Sequence, residues 1–372
     1  MNSDLLDASP YGVARAQKTP QLLAGLQALT AHHQQHCVAY RRLFPPTAQP
    51  SAQLSDLPFL TVPLFKQQEL LSIKDADIFK VLTSSGTTGM VPSRIYLDAD
   101  TAKLQSQVLV KIMQEWLGKQ RLPMLIWDCP SVIQSRSSFS ARGAGIQGLS
   151  FLGRHHTYAL NDDMSLNISA VDDFYERFGE QPVMMFGFTF MVWQFALQAL
   201  AEQQRHYYFK HAVLLHSGGW KKLEDKAVSP NIFNQTATSM LGNIRVHNFY
   251  GMVEQVGSIF VACELGHLHC PSYAEVLVRQ PGGWQILPHG QAGVLQVLSL
   301  LPKSYPGHSL LTEDRGRILG QDDCQCGRKG TYFEVLGRMA KVEARGCSDT
   351  FDGSLPAPTS DAISGNLVRV AL

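Results

Sequence analysis

The chain predicts an α/β fold, a doubly wound and mostly parallel sheet joined to a smaller β-rich portion. Three observations lead there. Short apolar runs alternate with helical stretches from about residue 77 to residue 300, the pattern of parallel strands linked by crossover helices. The run SYAEVLVRQPGGWQILPHGQAGVLQVLSL (272–300) reads instead as antiparallel strands around a Gly-Gly pair. Of the 372 residues 45% are hydrophobic, enough for a sizeable core in one large α/β domain or in two or three smaller ones.

Taken in order, residues 1–45 read as helical, because LLAGLQALTAHHQQHCVAYRRLF sets apolar residues at helical spacing on one face. The Pro-rich stretch Pro45–Pro63 is a connection. MLIWDC (124–129), VMMFGF (183–188), HAVLLHSGG (211–219) and IRVHNFYG (244–251) read as buried strands ending in turns. Residues 100–117, 165–178, 188–204 and 230–241 carry helix-like patterns between them. A hairpin turn is predicted at Gly282–Gly283. Beyond Arg338 the tail holds a turn-rich segment, DGSLPAPTSDAISG, and a candidate last strand, NLVRVAL.

The formal net charge is +1, and charged residues make up 17%, against about 25% in an average soluble protein. Bulk electrostatics therefore point to no nucleic-acid or membrane-surface partner. The low charge suits a hydrophobic substrate tunnel, a protein partner or simply a large core. The N-terminal residues MNSDLLDASPYGVARAQK do not read as a secretory signal. No run reaches the ~18 apolar residues of a spanning helix. Seven cysteines, an odd number, read as reduced thiols or metal ligands rather than a disulfide framework, and a cytoplasmic location is expected.

The strongest motif is LTSSGTTGMVPSR, Leu82–Arg94. Glycines let backbone N–H groups turn inward, and Ser and Thr hydroxyls add donors, so the loop suits a polyphosphate, with Arg94 as a counter-charge. It is not the GxxxxGK[ST] loop. The plainer reading is a surface turn, since these residues are common in loops.

SSGTTGMVPSRI resembles the phosphate loop of the acyl-adenylate-forming enzymes, which include acyl-CoA ligases, peptide-synthetase adenylation domains and luciferases. Further likenesses follow in order: His216–Gly219 (HSGG) to the adenine-contacting turn, Asn248–Glu254 (NFYGMVE) to the YGxTE signature, Leu311–Asp314 (LTED) to the ribose-gripping segment, and Leu336–Arg338 (LGR) to the hinge motif. HSLLTEDRGRI, the CxCGRKG segment and RGCSDT (345–350) are most similar to the LuxE-type acyl-protein synthetases, over nearly the whole chain. The phenylacetate-CoA-ligase branch is next nearest.

The resemblance implies a large N-terminal domain of the adenylate-forming fold at 1–338, with a β-rich subdomain at about 260–336 and a short remnant, 339–372, carrying Cys347. It implies ATP and Mg²⁺ as cofactors. Ser84, Ser85, Gly86, Thr87, Thr88 and Gly89 would hold the β- and γ-phosphates. Ser217, Gly218 and Gly219 would contact adenine, and Tyr250 with Gly251 would border it. Glu254 would hold Mg²⁺, which prefers carboxylate and phosphate oxygens. Asp314 would accept from the ribose diol, since an ionised carboxylate only accepts. Arg338 would reach the ribose or a phosphate. Full-length relatives continue past this point into a domain that supplies an assisting lysine, while this chain runs 34 residues beyond Arg338 (372 − 338). Arg94, Lys303 and Lys341 are unranked candidates for the cation beside the reacting carboxylate.

Cys347 is the last cysteine. A thiolate attacks an acyl-adenylate readily, and Arg345 nearby favours the thiolate. The acyl-protein synthetases acylate themselves on a late cysteine before passing the acyl group to a reductase, which makes Cys347 the candidate; an inert buried thiol is the alternative. CELGHLHC (263–270) and CQCG (324–327) form two tight Cys/His clusters. Cys263, His269, Cys324 and Cys326 are the favoured ligands of a structural Zn²⁺, with His267 and Cys270 in reserve, against free thiols in a reducing compartment. Some phenylacetate-ligase relatives have a similar arrangement.

The expected function is ATP-dependent activation of a carboxylic acid, a medium or long fatty acid, as an acyl-adenylate. Transfer to Cys347 and then to a partner reductase or carrier would follow. An acyl- or aryl-CoA or carrier-protein ligase and a non-catalytic adenylate-binding protein are the alternatives. The acid's pocket is expected after Phe186-Gly-Phe-Thr and around Ser217–Trp220; FTFMVW suits an acyl chain and equally a core helix.

Overall fold

The computed structural model describes residues 4–84, 92–134, 141–220 and 227–339. Its strands are β1 (Leu60–Thr61), β2 (Lys80–Thr83), β3 (Arg94–Leu97), β4 (Leu122–Ile126), β5 (Gly153–Tyr158), β6 (Pro182–Phe188), β7 (His211–Ser217), β8 (Ile244–Tyr250), β9 (Phe260–Ala262), β10 (Leu268–His269), β11 (Ala274–Arg279), β12 (Gly293–Ser299), β13 (Ser309–Gln321) and β14 (Thr331–Arg338).

All but β2 and β3 join one sheet, in the order β11-β12-β13-β14-β10-β9-β8-β7-β6-β4-β5, with β1 parallel to β13. From β5 to β8 the pairing is parallel. From β8 through β9 to β11 it is antiparallel. The β-rich stretch is thus hydrogen-bonded to the parallel half and continues it, rather than forming a separate sheet.

Alternation along the parallel strands explains the helices on both faces. Met124, Ile126, Met184, Phe186, Val213 and Leu215 point into one core, shared with Val108, Ile112 and Trp116 of the helix Ala99–Leu117. Leu125, Trp127, Val183, Met185, Ala212 and Leu214 point into the other. That second core takes Val171, Phe174 and Phe178 of Ile168–Phe178 and Phe233, Ala237 and Leu241 of Pro230–Leu241. Strands buried on both faces read as continuous apolar runs, and these do.

Helix starts are set by caps. Asp98 accepts from the Thr101 N–H at 2.7 Å, Asn167 from Ala170 at 3.0 Å and Ser229 from Ile232 at 3.3 Å. The Asn167 cap is why the helix predicted from residue 165 begins at Ile168. The segment 189–202 is helical, with Val192–Leu197 wound as a π segment, an irregularity that recurs at functional sites. The turn at Gly282–Gly283 forms, with the Gln280 N–H on the Gln285 carbonyl at 2.8 Å. Its return limb makes only the bridge Arg279↔Ile286, however, and β11 pairs with β12 instead. Pro288 ends that limb, because proline cannot donate to a ladder.

The helix Arg15–His36 is fastened to the sheet by a buried ion pair, Lys18 Nζ to Glu275 Oε2 at 3.3 Å, both side chains essentially inaccessible. Removing one partner strands a buried charge. Lys18→Met is expected to lose about 3–5 kcal/mol in chemical denaturation. Lys18→Met with Glu275→Leu is expected to recover most of it. Near-parental stability of the single variant would show that the pair carries no buried charge.

Candidate nucleotide site

The stem of the glycine-hydroxyl loop is closed by its own residues. β2 and β3 pair antiparallel from Lys80↔Leu97 to Thr83↔Arg94. Beyond them the Ser84 N–H bonds the Ser93 carbonyl at 3.1 Å, and the Ser93 N–H bonds the Ser84 hydroxyl at 2.8 Å. Ser85, Gly86, Thr87, Thr88 and Gly89 lie outside the described residues, as do Lys341 and Cys347. Arg94 heads β3 with its side chain exposed. Lys303 stands on a segment whose carbonyls at Pro302 and Lys303 meet His33 and His32 of the N-terminal helix.

The HSGG turn ends β7. The Ser217 hydroxyl donates to the Phe249 carbonyl of β8 at 2.8 Å. The Thr189 hydroxyl, at the start of the helical segment after β6, reaches the Gly218 carbonyl at 2.6 Å and His216 Nδ1 at 2.9 Å. Burial lowers His216 to about 3, so this imidazole is neutral and serves the turn as a hydrogen-bonding group. Among the described residues nothing stands within 4 Å of where a Gly219 side chain would begin.

Tyr250 closes β8. Its ring packs against Phe260 and Phe333, and its hydroxyl donates to Asp314 Oδ2 at 2.7 Å. Gly251 follows, where a Cβ would press within 3.0 Å of Ile259. Glu254 sits buried on the one-turn helix Val253–Gln255. Burial raises its carboxyl above the ordinary range; the nearby Ser93 hydroxyl, its own backbone N–H and the Lys66 charge, in that order, draw it back. Among the described residues the buried Ser93 hydroxyl lies near this carboxylate without a fully formed hydrogen bond to any partner. Gln255 locks the turn from below, its amide donating to the Gly307 carbonyl at 2.8 Å and to Val297 at 3.1 Å.

Asp314 lies on β13 directly opposite Arg338 on β14, with Arg338 Nε 3.8 Å from Asp314 Oδ1. Burial raises the Asp314 carboxyl too, while Tyr250 and Arg338 pull it down. The Glu313 carboxylate pushes both Glu254 and Asp314 upward. The NFYGMVE segment and the LTED strand are therefore joined by the Tyr250–Asp314 hydrogen bond, and Ser93 of the loop stem lies near Glu254.

A second constellation lies at the turns of the antiparallel half. One ligand atom from each of Cys263, His269, Cys324 and Cys326 falls within 4.8 Å of all the others.

Comparison with known proteins adds the family. The family model for "Acyl-protein synthetase, LuxE" matches residues 1–355. The chain belongs to this acyl-protein synthetase family. It is 20% identical over 302 residues to the long-chain-fatty-acid–luciferin-component ligase of Vibrio harveyi, covering 79% of this chain and 77% of that one. The LuxE-family fold is similar to a 2-hydroxyisobutyryl-CoA ligase in an open conformation with 2-HIB-AMP and CoA, at a TM-score of 0.67 and 17% identity over 89% of this chain and 78% of that one. The same ligase in its postadenylation state with R3-HIB-AMP gives 0.67 and 17%, covering 90% and 71%. The chain is a ligase of the LuxE family with the adenylate-forming fold, as its motifs imply. No helix among its described residues is long and apolar enough to cross a membrane.

Sequence reading passed over several residues that the structure sets beside these motifs. Lys66 follows β1, which pairs with β13 at Leu60↔Leu310 and Thr61↔Leu311, immediately before Asp314's segment. Gln255 and Ser93 stood inside or beside quoted motifs, yet only burial reveals their contacts. The Asp128–Arg142 pair, Oδ2 to Nε at 3.4 Å, lies just past β4. There the chain order reverses across the sheet, since β5 and β6 flank β4. Cys129, Leu160 and Met191 are buried beside it, with Phe188, Phe190 and Phe195 packed against them.

Raised carboxyls hold protons in the folded state at pH values where the unfolded chain has lost them. Their contribution to stability is therefore greatest in acid and falls as pH rises through the raised values. Glu254→Gln and Asp314→Asn are each expected to raise unfolding stability at neutral pH, with the gain shrinking in mild acid. Urea denaturation at the two pH values checks this; a gain that persists unchanged in acid excludes carboxyl burial as its source.

Proposed function

We propose that this chain activates a carboxylic acid, a fatty acid, with ATP and Mg²⁺ as an acyl-adenylate, and passes the acyl group to a cysteine thiol. The observation that carries the reading is the Tyr250–Asp314 hydrogen bond, with Glu254 buried near Ser93 of the described stem of the glycine-hydroxyl loop. Family membership supports it, as do the name of the Vibrio harveyi relative and a solved protein of the same fold that holds 2-HIB-AMP.

In this reading Ser84 to Gly89 cradle the phosphates, and Glu254 holds Mg²⁺, which when bound neutralises phosphate charge during displacement at the α-phosphorus. The buried Ser93 hydroxyl is free to donate to ligand or carboxylate. Ser217, Gly218 and Gly219 border the adenine. Tyr250 acts by holding Asp314, which accepts from the ribose hydroxyls while Arg338 covers the same end. Lys66 supplies a cation on the Glu254 side, where negative charge gathers, in preference to Arg94, Lys303 or Lys341. The aromatic group at Phe188, Phe190 and Phe195, with Met191, suits an acyl chain at the sheet's switch point. Cys347 takes the acyl group as a thioester, releasing AMP, and an acyl-accepting reductase or carrier receives it. The domain reading is one adenylate-forming unit at 1–338 and a short segment, 339–372, bearing Cys347.

The test is acid-dependent pyrophosphate release across fatty-acid chain lengths; none at any length overturns the reading. Asp314→Asn and Lys66→Met are expected to slow release by about 10- to 100-fold. Cys347→Ser is expected to abolish covalent labelling by radiolabelled acid and to leave pyrophosphate release intact. Labelling that survives removes Cys347 from the scheme, and an acyl-CoA product in place of labelling favours a CoA ligase.

A further inference from the structure

The nucleotide site leaves the cysteine and histidine cluster unused. We propose that Cys263, His269, Cys324 and Cys326 close on one zinc ion, and that this clasp fixes the β13–β14 register that sets Arg338 opposite Asp314. The zinc half is independent of the proposed function; the consequence for the nucleotide rests on it.

The spacing of the donors fits. A tetrahedral ion with Zn–S bonds of ~2.3 Å and Zn–N bonds of ~2.0 Å has S···S edges of about 3.8 Å and S···N edges of about 3.5 Å. Cys263 and Cys324 Sγ are 4.0 Å apart, and Cys326 Sγ is 3.3 Å from His269 Nε2. The thiols are free rather than paired in a disulfide. Cys263 and Cys324 each open a tight turn closed by a glycine N–H, Gly266 to Cys263 O at 2.8 Å and Gly327 to Cys324 O at 2.9 Å. Both glycines have positive φ, 80° and 84°, which bends the backbone around the sulfur. Three thiols and an imidazole select a borderline-soft ion, and four protein donors leave no open position, so the centre is structural. His267 Nδ1, 3.5 Å from Cys324 Sγ, is a neighbour of the set, and the Tyr332 ring stacks on both histidines. Cys270 is excluded: it is buried beside Lys18 and Glu275.

The donors come from two hairpins: Cys263 from the turn between β9 and β10, His269 from β10 itself, and Cys324 and Cys326 from the turn between β13 and β14. The second turn is held from outside as well. Arg328 donates to Glu264 at 2.7 Å and lies 4.0 Å over the Trp116 ring, and the Lys329 N–H bonds the Tyr11 carbonyl at 2.9 Å. The β13–β14 ladder starts from this turn at Gln321↔Thr331 and ends at Asp314↔Arg338. Between them it shifts register twice, at Ile318/Gly320 and at Arg315/Gly316. An interrupted ladder defines register weakly by itself, so an anchor at the turn determines where the far end falls.

The test uses the full chain expressed with zinc available. Elemental mass spectrometry is expected to find about one zinc per chain. Cys324→Ser with Cys326→Ser is expected to lose it, and Cys270→Ala to keep it. A metal-free parent, another metal in zinc's place, or zinc retained by the double variant overturns the centre. Should the double variant fail to fold, chelator-driven release from the parent gives the same count. Hydrogen exchange in 309–321 and 331–338 is then compared before and after stripping, and is expected to rise several-fold in both. Unchanged exchange overturns the clasp while leaving the metal. Neither measurement involves ATP or acid, so failure of the proposed reaction leaves both readable.

Discussion

A hydrogen bond from the Tyr250 hydroxyl to Asp314 spans the place where the sheet changes character. Tyr250 ends the last parallel strand, and Asp314 stands on an antiparallel strand several places away. Neither is close to the other along the chain, and each is costly to bury alone: a carboxylate without donors and a phenol without an acceptor both lose hydration. Together they satisfy each other and pin the NFYGMVE segment to the LTED strand. The short β9 and β10 strands fill the gap, so that one continuous hydrogen-bonded surface carries both motifs.

Two carboxyl groups are held where burial disfavours their charge. Such an arrangement stabilises nothing in isolation. The Lys66 charge offsets part of that cost at Glu254, and the Arg338 charge part of it at Asp314. The turn that carries Glu254 is braced by the Gln255 amide, and the Ser93 hydroxyl lies near the carboxylate. Preorganised polar groups suit the metal and phosphate roles proposed for them.

Much of the fold was legible because its signals are local. Apolar runs with both faces buried gave β4, β6 and β7, and the helices were found by their period, with ends set by capping residues such as Asp98 and Asn167. The motifs were legible for the same reason, since each is a short stretch whose backbone and side chains act together. Lys66, Gln255, Ser93 and the Asp128–Arg142 pair escaped. Lys66 joins the site only through the β1–β13 pairing, 250 residues away in sequence (310 − 60). Gln255 reads as a solvated amide until its carbonyl partners on the β12 and Gly307 segments are known.

The sequence by itself determined the element types, the order of the motifs, the family likeness and the four residues able to share a metal, because these depend on residue chemistry and near-neighbour spacing. Only the tertiary structure decided that the β-rich stretch extends the parallel sheet, that Tyr250 spends its hydroxyl on Asp314, and that Cys263 and His269 meet Cys324 and Cys326 across two turns. Those outcomes depend on strand register, which long-range pairing sets and no local pattern encodes.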